Sequence, residues 1–170
     1  IKGAVHDPRA FAMGGVAGHA GNFSTGRDLA ILGSMLANRG TYVPANDPEN
    51  PIQILKPETF VQMTAHVATS GGMRSRGWDK RSSYSGNRGV LMSPSAFGHG
   101  GFTGTSFWVD PDFDLFVVFL GNRLHPDGKG AVNGLCGRVG QVAVDAVRDS
   151  LDASETAALN AKSVYKSPKA

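Results

Sequence analysis

The stretch FGHGGFTGTSFWVDPDFDLFVVFLGNR, residues 97–123, decides the fold because its turn chemistry and its hydrophobic pattern agree. Residues 106–109 alternate in type, which places Phe107 and Val109 on one face of a strand. The Asp-Pro-Asp of residues 110–112 interrupts the run, because proline cannot donate to a strand ladder and aspartate favours turns. So short a turn predicts that the strands on either side of it are antiparallel neighbours.

Two further segments extend this reading of the sheet. Residues 115–120 contain no polar side chain, and such a run of β-branched and aromatic residues predicts a central strand covered on both faces. Residues 95–101 are rich in glycine and predict a third strand, at an edge of the sheet. Glycine in a strand often marks a place where a ligand or another backbone comes close. This segment is therefore the first candidate for a functional site.

Helices are expected before the sheet. Thr25 and Asp28 have the spacing of a capping box, and apolar residues at helical spacing follow until Gly40 ends the helix. A second, short helix is predicted to begin at Pro57 and to bury Phe60. Together with the strands, these helices predict an α/β fold of the α+β type, in which an antiparallel sheet is flanked by helices.

A third helix is expected after the strands, where apolar residues step by three and four. Its buried face is predicted to hold Val132, Leu135, Val139, Val142 and Ala146. Glycines inside it each cost about 1 kcal/mol relative to alanine, which predicts a close approach to the sheet. These glycines are Gly134, Gly137 and Gly140.

Residues 70–94 are polar, basic and rich in glycine, and they predict a long surface loop with one short strand around residues 77–79. Loops of this length inside a compact domain are usually functional or mobile.

The composition of the 170 residues is that of an ordinary soluble domain, with 41% hydrophobic and 18% charged residues. The net charge of +3 is mild and the basic residues are scattered, which excludes a typical nucleic-acid-binding surface. No apolar run approaches the roughly 20 residues of a membrane span. The single cysteine, Cys136, is expected to pack as a small apolar residue. The chain starts at Ile1 without a methionine, so its compartment (periplasmic, secreted or cytoplasmic) is left open.

Several short motifs follow one another in an order that resembles a known family. They are VHDP at residues 5–8, GGVAGHAG at 14–21, FGHGGFTGTS at 97–106, the Asp-Pro of 110–111 and GNRLHP at 121–126. Together they resemble the serine β-lactamase-like family, which includes class C β-lactamases, penicillin-binding peptidases and esterases of the same fold.

The resemblance implies a sheet between helices, with the glycine-rich strand lining the active site. In that family a serine and a lysine in an S-x-x-K motif do the nucleophilic work, helped by a tyrosine from a Y-x-N motif. Both motifs precede the equivalent of residues 5–8, and this chain is expected to lack them. Residues 1–151 are therefore expected to be the C-terminal half of such a domain, and residues 152–170 a tail.

The resemblance thus implies part of a serine hydrolase that cleaves an ester, an amide or a β-lactam through an acyl-enzyme. The expected partners are a small-molecule substrate and the missing N-terminal half of the same domain. The alternative is a non-catalytic binding or interaction module that retains the fold without the nucleophile. The sequence upstream of residue 1 distinguishes the two, because only the enzyme needs the S-x-x-K motif.

The roles of the site residues follow from the resemblance. His99 stands where the family has the first residue of its Lys-Thr-Gly triplet, and there it would hydrogen-bond towards the tyrosine and the substrate. Gly100 and Gly101 complete the triplet and would line the substrate. Phe102 would offer its backbone N–H as one donor of the oxyanion hole, the other coming from the missing serine.

Asn122 and Arg123 resemble positions near the acidic group of the substrate. A histidine is mostly neutral at pH 7, and Gly100 lacks the hydroxyl that is usual in the triplet. A site without a fixed cation binds a carboxylate poorly, so we expect the complete enzyme to prefer esters over β-lactams. Arg123 is the one residue expected to offset the missing charge.

No cofactor or metal is expected. The other histidines have no metal-ligand spacing among them. They are His6, His19, His66 and His125. His6 and Asp7 are expected to form a hydrogen-bonded turn instead. Finally, because half of the domain is expected to be missing, the chain alone should expose apolar surface and associate.

Overall fold

The computed structural model describes residues 2–151 and 154–155, and an antiparallel sheet flanked by helices forms its centre, as predicted. The helices are α1 Pro8–Ala12, α2 Gly26–Ala37, α3 Pro57–Thr64 and α4 Asn133–Ser150, with a 3₁₀ turn at Ser85–Asn87. The strands are β1 Thr41–Tyr42, β2 Ile52–Gln53, β3 Val67–Thr69, β4 Gly72–Arg74, β5 Asp79–Ser82, β6 Phe97–Gly100, β7 Thr105–Asp110 and β8 Leu115–Leu120. β1 pairs with β2, and the remaining strands form one sheet in the order β3-β4-β5-β6-β7-β8.

The predicted hairpin of β7 and β8 is confirmed, and its two faces support two cores. Phe107 and Val109 face the cluster that includes Leu36 of α2. Trp108, on the opposite face, packs with Val144 of α4. Since Val109 and Val144 are both fully buried, the sheet is enclosed between α2 and α4.

β8 is covered on both faces, as predicted, but it is not a central strand. Phe116 packs against the α2 cluster and Val117 against the α4 cluster. A Cβ on Gly33 of α2 would lie 2.6 Å from the Phe116 ring, so this contact needs glycine. In the described part of the chain, however, β8 ends the sheet and pairs with β7 only. An apolar run indicates that both faces of a strand are covered. It does not indicate whether both edges of the strand are hydrogen-bonded to neighbouring strands.

β6 also differs from the expected edge strand. It lies inside the sheet between β5 and β7, so the prediction is wrong for its first half. The pairing with β5 is brief, because Asp79 opposite Gly98 is its one recorded pair. Within the described residues, His99 and Gly100 are paired on the β7 side alone. The second half of β6 is therefore open along one edge.

The segment expected to be a surface loop, residues 70–94, contributes two strands to the sheet, and the one short strand expected around residues 77–79 overlaps β5 at Asp79. β4 and β5 lie within this segment, and several of its charged side chains are buried. Lys80, 3% exposed, donates from Nζ to the carbonyls of Thr64 at 3.0 Å and Ser95 at 3.3 Å. These carbonyl groups replace the water that would otherwise surround the ammonium group. Strand β5 can therefore lie inside the protein although its sequence is polar.

The first two predicted helices are confirmed. The Thr25 hydroxyl accepts from the Asp28 N–H at 3.1 Å at the start of α2, and Gly40 follows its end with φ of 101°. Pro57 opens α3. Phe60 of α3 is 4% exposed and meets the ring of Phe97 edge-on.

Helix α4 is confirmed, but it buries a different face from the predicted one. Cys136, Gly140 and Val144 are buried, whereas Val139 is 37% and Val142 is 67% exposed. Burial raises the pKa of the Cys136 thiol, which therefore stays protonated, as expected of a packed apolar residue.

Glycines explain the orientation of α4. A Cβ on Gly137 would lie 3.2 Å from the Gly86 carbonyl oxygen, and one on Gly140 would lie 3.1 Å from the Gly89 nitrogen. The predicted close approach therefore exists, but it is made to residues 86–89 rather than to the sheet. That segment belongs to the region expected to be a loop, which is why the sequence pattern did not indicate it.

Several large apolar side chains are exposed, in helix α1, before α2 and at the end of β8. Phe11 is 64% exposed, Phe23 68% and Leu120 59%. Association of the isolated chain stays a prediction. The expected tail, residues 152–170, lies outside the described residues apart from 154–155. Across the described residues, no helix combines the length and the hydropathy that crossing a membrane requires.

Candidate active site

The candidate site is built on the turn of residues 101–104, which joins β6 to β7. The Gly101 N–H donates to the Thr105 carbonyl at 2.6 Å, and the Gly104 N–H donates to the Gly101 carbonyl at 3.0 Å. Gly104 has a φ of +111°, and a Cβ there would lie 2.8 Å from the Arg123 nitrogen. The turn therefore requires glycine at this position for both its backbone conformation and its packing.

Arg123 fastens this turn from the segment that follows β8. Its N–H donates to the Thr103 carbonyl at 3.0 Å. Its Nε donates to the Phe102 carbonyl at 2.6 Å, and its Cζ lies 4.3 Å from the centre of the Phe102 ring. Its Nη1 donates to the carbonyls of Gly128 at 3.2 Å and Gly130 at 3.1 Å. Much of the donor capacity of Arg123 is thus used by backbone carbonyls.

The carbonyl oxygen and the ring of Phe102 both have contact partners, in contrast to its backbone N–H. Its carbonyl and ring contact Arg123, and the ring also stacks on His6 with centroids 5.8 Å apart. Among the residues that the structure describes, no hydrogen bond engages the Phe102 N–H. A backbone N–H that is fixed in place and still free to donate has the property that an oxyanion-hole donor needs.

His99 lies on β6 opposite Phe107 and is exposed. Its Nε2 is 2.8 Å from Nη2 of Arg74, and its Nδ1 is 2.7 Å from the Gly100 carbonyl oxygen. A guanidinium can only donate, so Nε2 accepts and the ring proton resides on Nδ1. In this arrangement His99 is neutral, and both of its nitrogens have partners.

Gly100 and Gly101 have no room for a side chain. A Cβ on Gly100 would lie 1.7 Å from Nδ2 of Asn87, and one on Gly101 would lie 2.3 Å from Oγ1 of Thr105. Asn87 is buried, and its Oδ1 accepts from Nε1 of Trp108 at 2.9 Å, which fixes the amide. Polar groups of neighbouring residues thus fill the space that a hydroxyl side chain would take at Gly100.

Comparison with known proteins shows the family of this sequence. The sequence matches the family described as Beta-lactamase over residues 2–135. The chain belongs to the beta-lactamase family. This is the serine β-lactamase and penicillin-binding protein family that its motifs predicted.

Several Salmonella proteins are similar to this family member. One from Salmonella enteritidis PT4, named "Putative D-alanyl-D-alanine carboxypeptidase", is 40% identical over 130 residues. Proteins of the same name from Salmonella gallinarum and Salmonella newport are 40% and 39% identical over 130 residues. In each case the match covers 74% of this chain and 28% of the relative. The chain therefore spans little more than a quarter of the length of these relatives.

Five of the six residues expected at the site of this beta-lactamase family member meet at one end of the sheet. His99 and Gly100 end β6, Gly101 and Phe102 form the turn, and Arg123 holds the turn. Four of the five are consecutive in the sequence, and the assignment of this cluster as a site, with its roles towards a substrate, stays a prediction.

Asn122, the sixth, is a neighbour of Arg123 that shapes the backbone. Its Oδ1 accepts from the N–H groups of Leu124 at 3.0 Å and His125 at 3.3 Å. It therefore caps a turn, and its contact with a substrate acid group stays a prediction.

The predicted turn at His6 and Asp7 is confirmed. Oδ1 of Asp7 accepts from the Ala10 N–H at 2.8 Å and lies 2.9 Å from Nε2 of His19. The hydrogen bond from Ala10, followed by that of His19, lowers the pKa of the Asp7 carboxyl. The stacking of His6 on Phe102 was not expected, although the VHDP motif had singled out His6.

Arg74 and Asn87 were missed altogether. Neither belongs to a motif, and each reaches the site only because β4, β5 and the 3₁₀ turn pack beside β6. Arg123 is the cation expected to offset the missing lysine of the triplet; the guanidinium of Arg74, which contacts His99, is a second cation at this end of β6.

One correction concerns the nucleophile motif. Ser163 is followed by Lys166, which is the S-x-x-K spacing that the chain was expected to lack. The pair comes after the glycine-rich strand instead of before it, and it lies outside the described residues.

Outside the candidate site, two further features of the described residues bear on chemistry: metal-binding groups and a cavity. The described residues contain no group of three or more His, Cys, Asp or Glu side chains that could hold a metal ion.

A cavity of about 500 Å³ lies at the beginning of β6, lined by Phe97, Phe60 and Lys80 among others. Burial lowers the pKa of Lys80 to about 8. His99 and Phe102 do not line this cavity, so it is separate from the candidate site.

Proposed function

We propose that this chain is the C-terminal part of a serine hydrolase that works through an acyl-enzyme. The nucleophilic serine and its lysine are assigned to an N-terminal half that lies outside the 170 residues. The free and fixed N–H of Phe102, next to the open end of β6, is the observation that carries this proposal.

The proposed role of the Phe102 N–H follows from the charge that develops on the substrate during the reaction. When a serine attacks a carbonyl carbon, the carbonyl oxygen becomes negative, and a donor already aimed at it lowers the barrier without reorganisation. Removing one such donor typically costs about 100- to 1,000-fold in rate. In the part of the chain that the structure describes, the second half of β6 has an unpaired edge, where an extended acyl substrate can add as a further strand.

The names of the relatives support an amide substrate, since a D-alanyl-D-alanine carboxypeptidase acts on a peptide bond. We therefore place peptide amides first among the ester, amide and β-lactam substrates. The expected preference for esters loses its main support, because it assumed that no cation stands beside His99.

The first test uses the gene product that includes the sequence upstream of residue 1. We expect an S-x-x-K motif there, and a stable mass increase of one penicilloyl group after incubation with a penicillin. A full-length protein that is folded but is never acylated, with no such motif upstream, would overturn the proposal and favour the non-catalytic module.

A second test concerns the donor itself. Phe102→Pro removes the N–H, whereas Phe102→Ala removes the ring and keeps the N–H. In the full-length enzyme we expect Phe102→Pro to acylate about 100- to 1,000-fold more slowly than Phe102→Ala. Equal rates in two variants with similar melting temperatures would contradict the assignment.

The 170-residue chain alone is expected to be inactive, because its nucleophile is outside it. Hydrolysis of a chromogenic cephalosporin and of a p-nitrophenyl ester measures this. Ser163→Ala is the matched variant, since Ser163 has the motif spacing within the chain. Turnover by the chain that disappears in Ser163→Ala would place the nucleophile in the tail and refute the assignment.

A further inference from the structure

A buried lysine lines the cavity at the beginning of β6, away from the candidate site. Lys80 belongs to β5 and is 3% exposed. Its Nζ donates to the carbonyls of Thr64 at 3.0 Å and Ser95 at 3.3 Å, and both of these residues line the same cavity. The amino group of Lys80 is therefore held at the cavity wall by two backbone carbonyls.

The hydrogen bonds of Lys80 match an uncharged amine. An ammonium group has three N–H donors and no acceptor, whereas a neutral amine has two N–H donors and a lone pair. In the described part of the chain, Nζ has the two carbonyl acceptors and no ion pair with a carboxylate. When both N–H groups of the neutral amine are engaged in this way, its lone pair is left free to react.

The charged groups around Lys80 also favour the neutral amine. Burial, followed by the guanidinium charge of Arg88, lowers the pKa of Lys80 to about 8 against the opposing effect of the Asp110 and Asp112 carboxylates. Burial, followed by the charge of Lys80, also lowers the pKa of His66, which lines the cavity. Desolvation of this kind activates the amine of nucleophilic lysines.

The cavity suits an uncharged aromatic ligand. Its volume of about 500 Å³ is typical of small-molecule sites. Phe60 and Phe97 both line it, and their rings meet edge-on with centroids 6.0 Å apart. Arg39 also lines the cavity, but it forms an ion pair with Asp112 at 3.0 Å, so its charge is compensated. None of the described lining residues is acidic.

We propose that Lys80 is a reactive amine that binds small aromatic aldehydes in this cavity as a reversible imine. The amine nitrogen adds to the carbonyl carbon, both amine protons leave with the carbonyl oxygen as water, and a C=N double bond remains. A proton taken up by the imine restores one N–H donor for the nearer carbonyl, that of Thr64. This site goes beyond the proposed function and does not depend on the acyl-enzyme.

The first test compares the lysines of one sample. Full-length protein is incubated with benzaldehyde near neutral pH and reduced with sodium borohydride, which converts an imine into a stable benzylamine. Peptide mass spectrometry then gives the initial rate of labelling at each lysine. We expect Lys80 to be labelled about 10-fold faster than the exposed Lys2, Lys56 and Lys129, because more of its amine is unprotonated.

The dependence of labelling on pH sharpens this comparison. Labelling of Lys80 should level off above about pH 8, whereas labelling of the exposed lysines should continue to rise towards about pH 10. Labelling of Lys80 that is no faster than that of Lys56, or that rises in parallel with it up to pH of about 10, would overturn the proposal.

A second test separates binding in the cavity from reactivity of the amine alone. Benzyl alcohol has the ring of benzaldehyde but cannot form an imine. It should slow the labelling of Lys80 in a saturable manner and leave that of Lys56, which precedes α3 outside the cavity lining, unchanged. Equal inhibition at both lysines, or no inhibition at Lys80, would contradict a binding site in the cavity.

Two variants check the assignment in the intact protein. Lys80→Met should lose the fast phase of benzyl incorporation, and Lys56→Met should keep it. A fast phase that persists in Lys80→Met would refute the assignment to Lys80. None of these measurements involves a serine nucleophile, so their failure and the failure of the proposed function are distinguishable.

Discussion

Residues 97–123 and residues 70–94 lie side by side in one sheet, yet only the first region could be recognised from its sequence. In the first, apolar alternation, a proline turn and an apolar run specify β7 and β8 within a few residues. In the second, β4 and β5 carry polar side chains such as Lys80 that become buried by contacts with distant carbonyls. The difference shows that the hydrophobic pattern predicts strands whose buried side chains are apolar. It misses strands whose buried side chains are polar and hydrogen-bonded.

The two regions are joined by buried polar bonds. Asp110, at the end of β7, accepts from the Ser93 N–H and the Ser93 hydroxyl, each at 2.6 Å. Trp108 donates to Asn87 at 2.9 Å. Burial raises the pKa of the Asp110 carboxyl, and the hydrogen bonds from Ser93 oppose that shift. Breaking this junction is the sharpest way to test whether the polar region depends on the apolar one.

The largest effect is expected from Asp110→Asn. An amide offers one acceptor where two donors of Ser93 converge, and its NH₂ group would face a donor. We expect a loss of about 2 to 4 kcal/mol in the free energy of unfolding, measured by urea denaturation. Asp114→Asn is the control, because Asp114 is exposed and its positive φ suits asparagine. Equal stability of the two variants would show that the junction contributes little.

A smaller effect is expected where the polar region meets α4. Gly140→Ala places a Cβ 3.1 Å from the Gly89 nitrogen, whereas Gly134→Ala meets only the Arg138 side chain at 3.7 Å. Overpacking should cost about 1 to 3 kcal/mol at Gly140, while alanine at the exposed Gly134 should add up to about 1 kcal/mol. Thermal melts of both variants measure the difference. If both alanine variants are more stable than the wild type, the close approach of Gly140 to Gly89 does not restrict which residue fits at position 140.

The smallest effect concerns pH and Lys80. The pKa of Lys80 falls from 10.5 to about 8 because burial disfavours the charged form. Between these values the unfolded chain binds more protons than the folded chain, so stability is gained as pH rises from about 8 towards 10.5. The wild-type melting temperature should rise relative to that of Lys80→Met over this range. The exposed Lys2→Met should keep the wild-type slope. Parallel slopes in all three proteins would mean that Lys80 titrates normally.

By itself, the sequence determined the features that depend on neighbours along the chain. The cap of α2 by Thr25, the antiparallel hairpin of β7 and β8, and the glycine turn after β6 all follow from residues within a few positions of each other. Two of the family motifs, at residues 97–106 and 110–111, lie in these same segments, and the prediction that His99 and Phe102 belong to one site rests on the first of them.

Only the tertiary structure decided which surfaces meet. Within the described residues it set β8 at an edge, turned α4 so that Gly140 contacts Gly89, and brought the Arg74 guanidinium of β4 past β5 to His99 of β6. These outcomes depend on the order of strands and on side chains 25 or more residues apart, such as Arg74 and His99. Local periodicity carries no information about such pairs, because it records which face of an element is apolar and not which element will cover it.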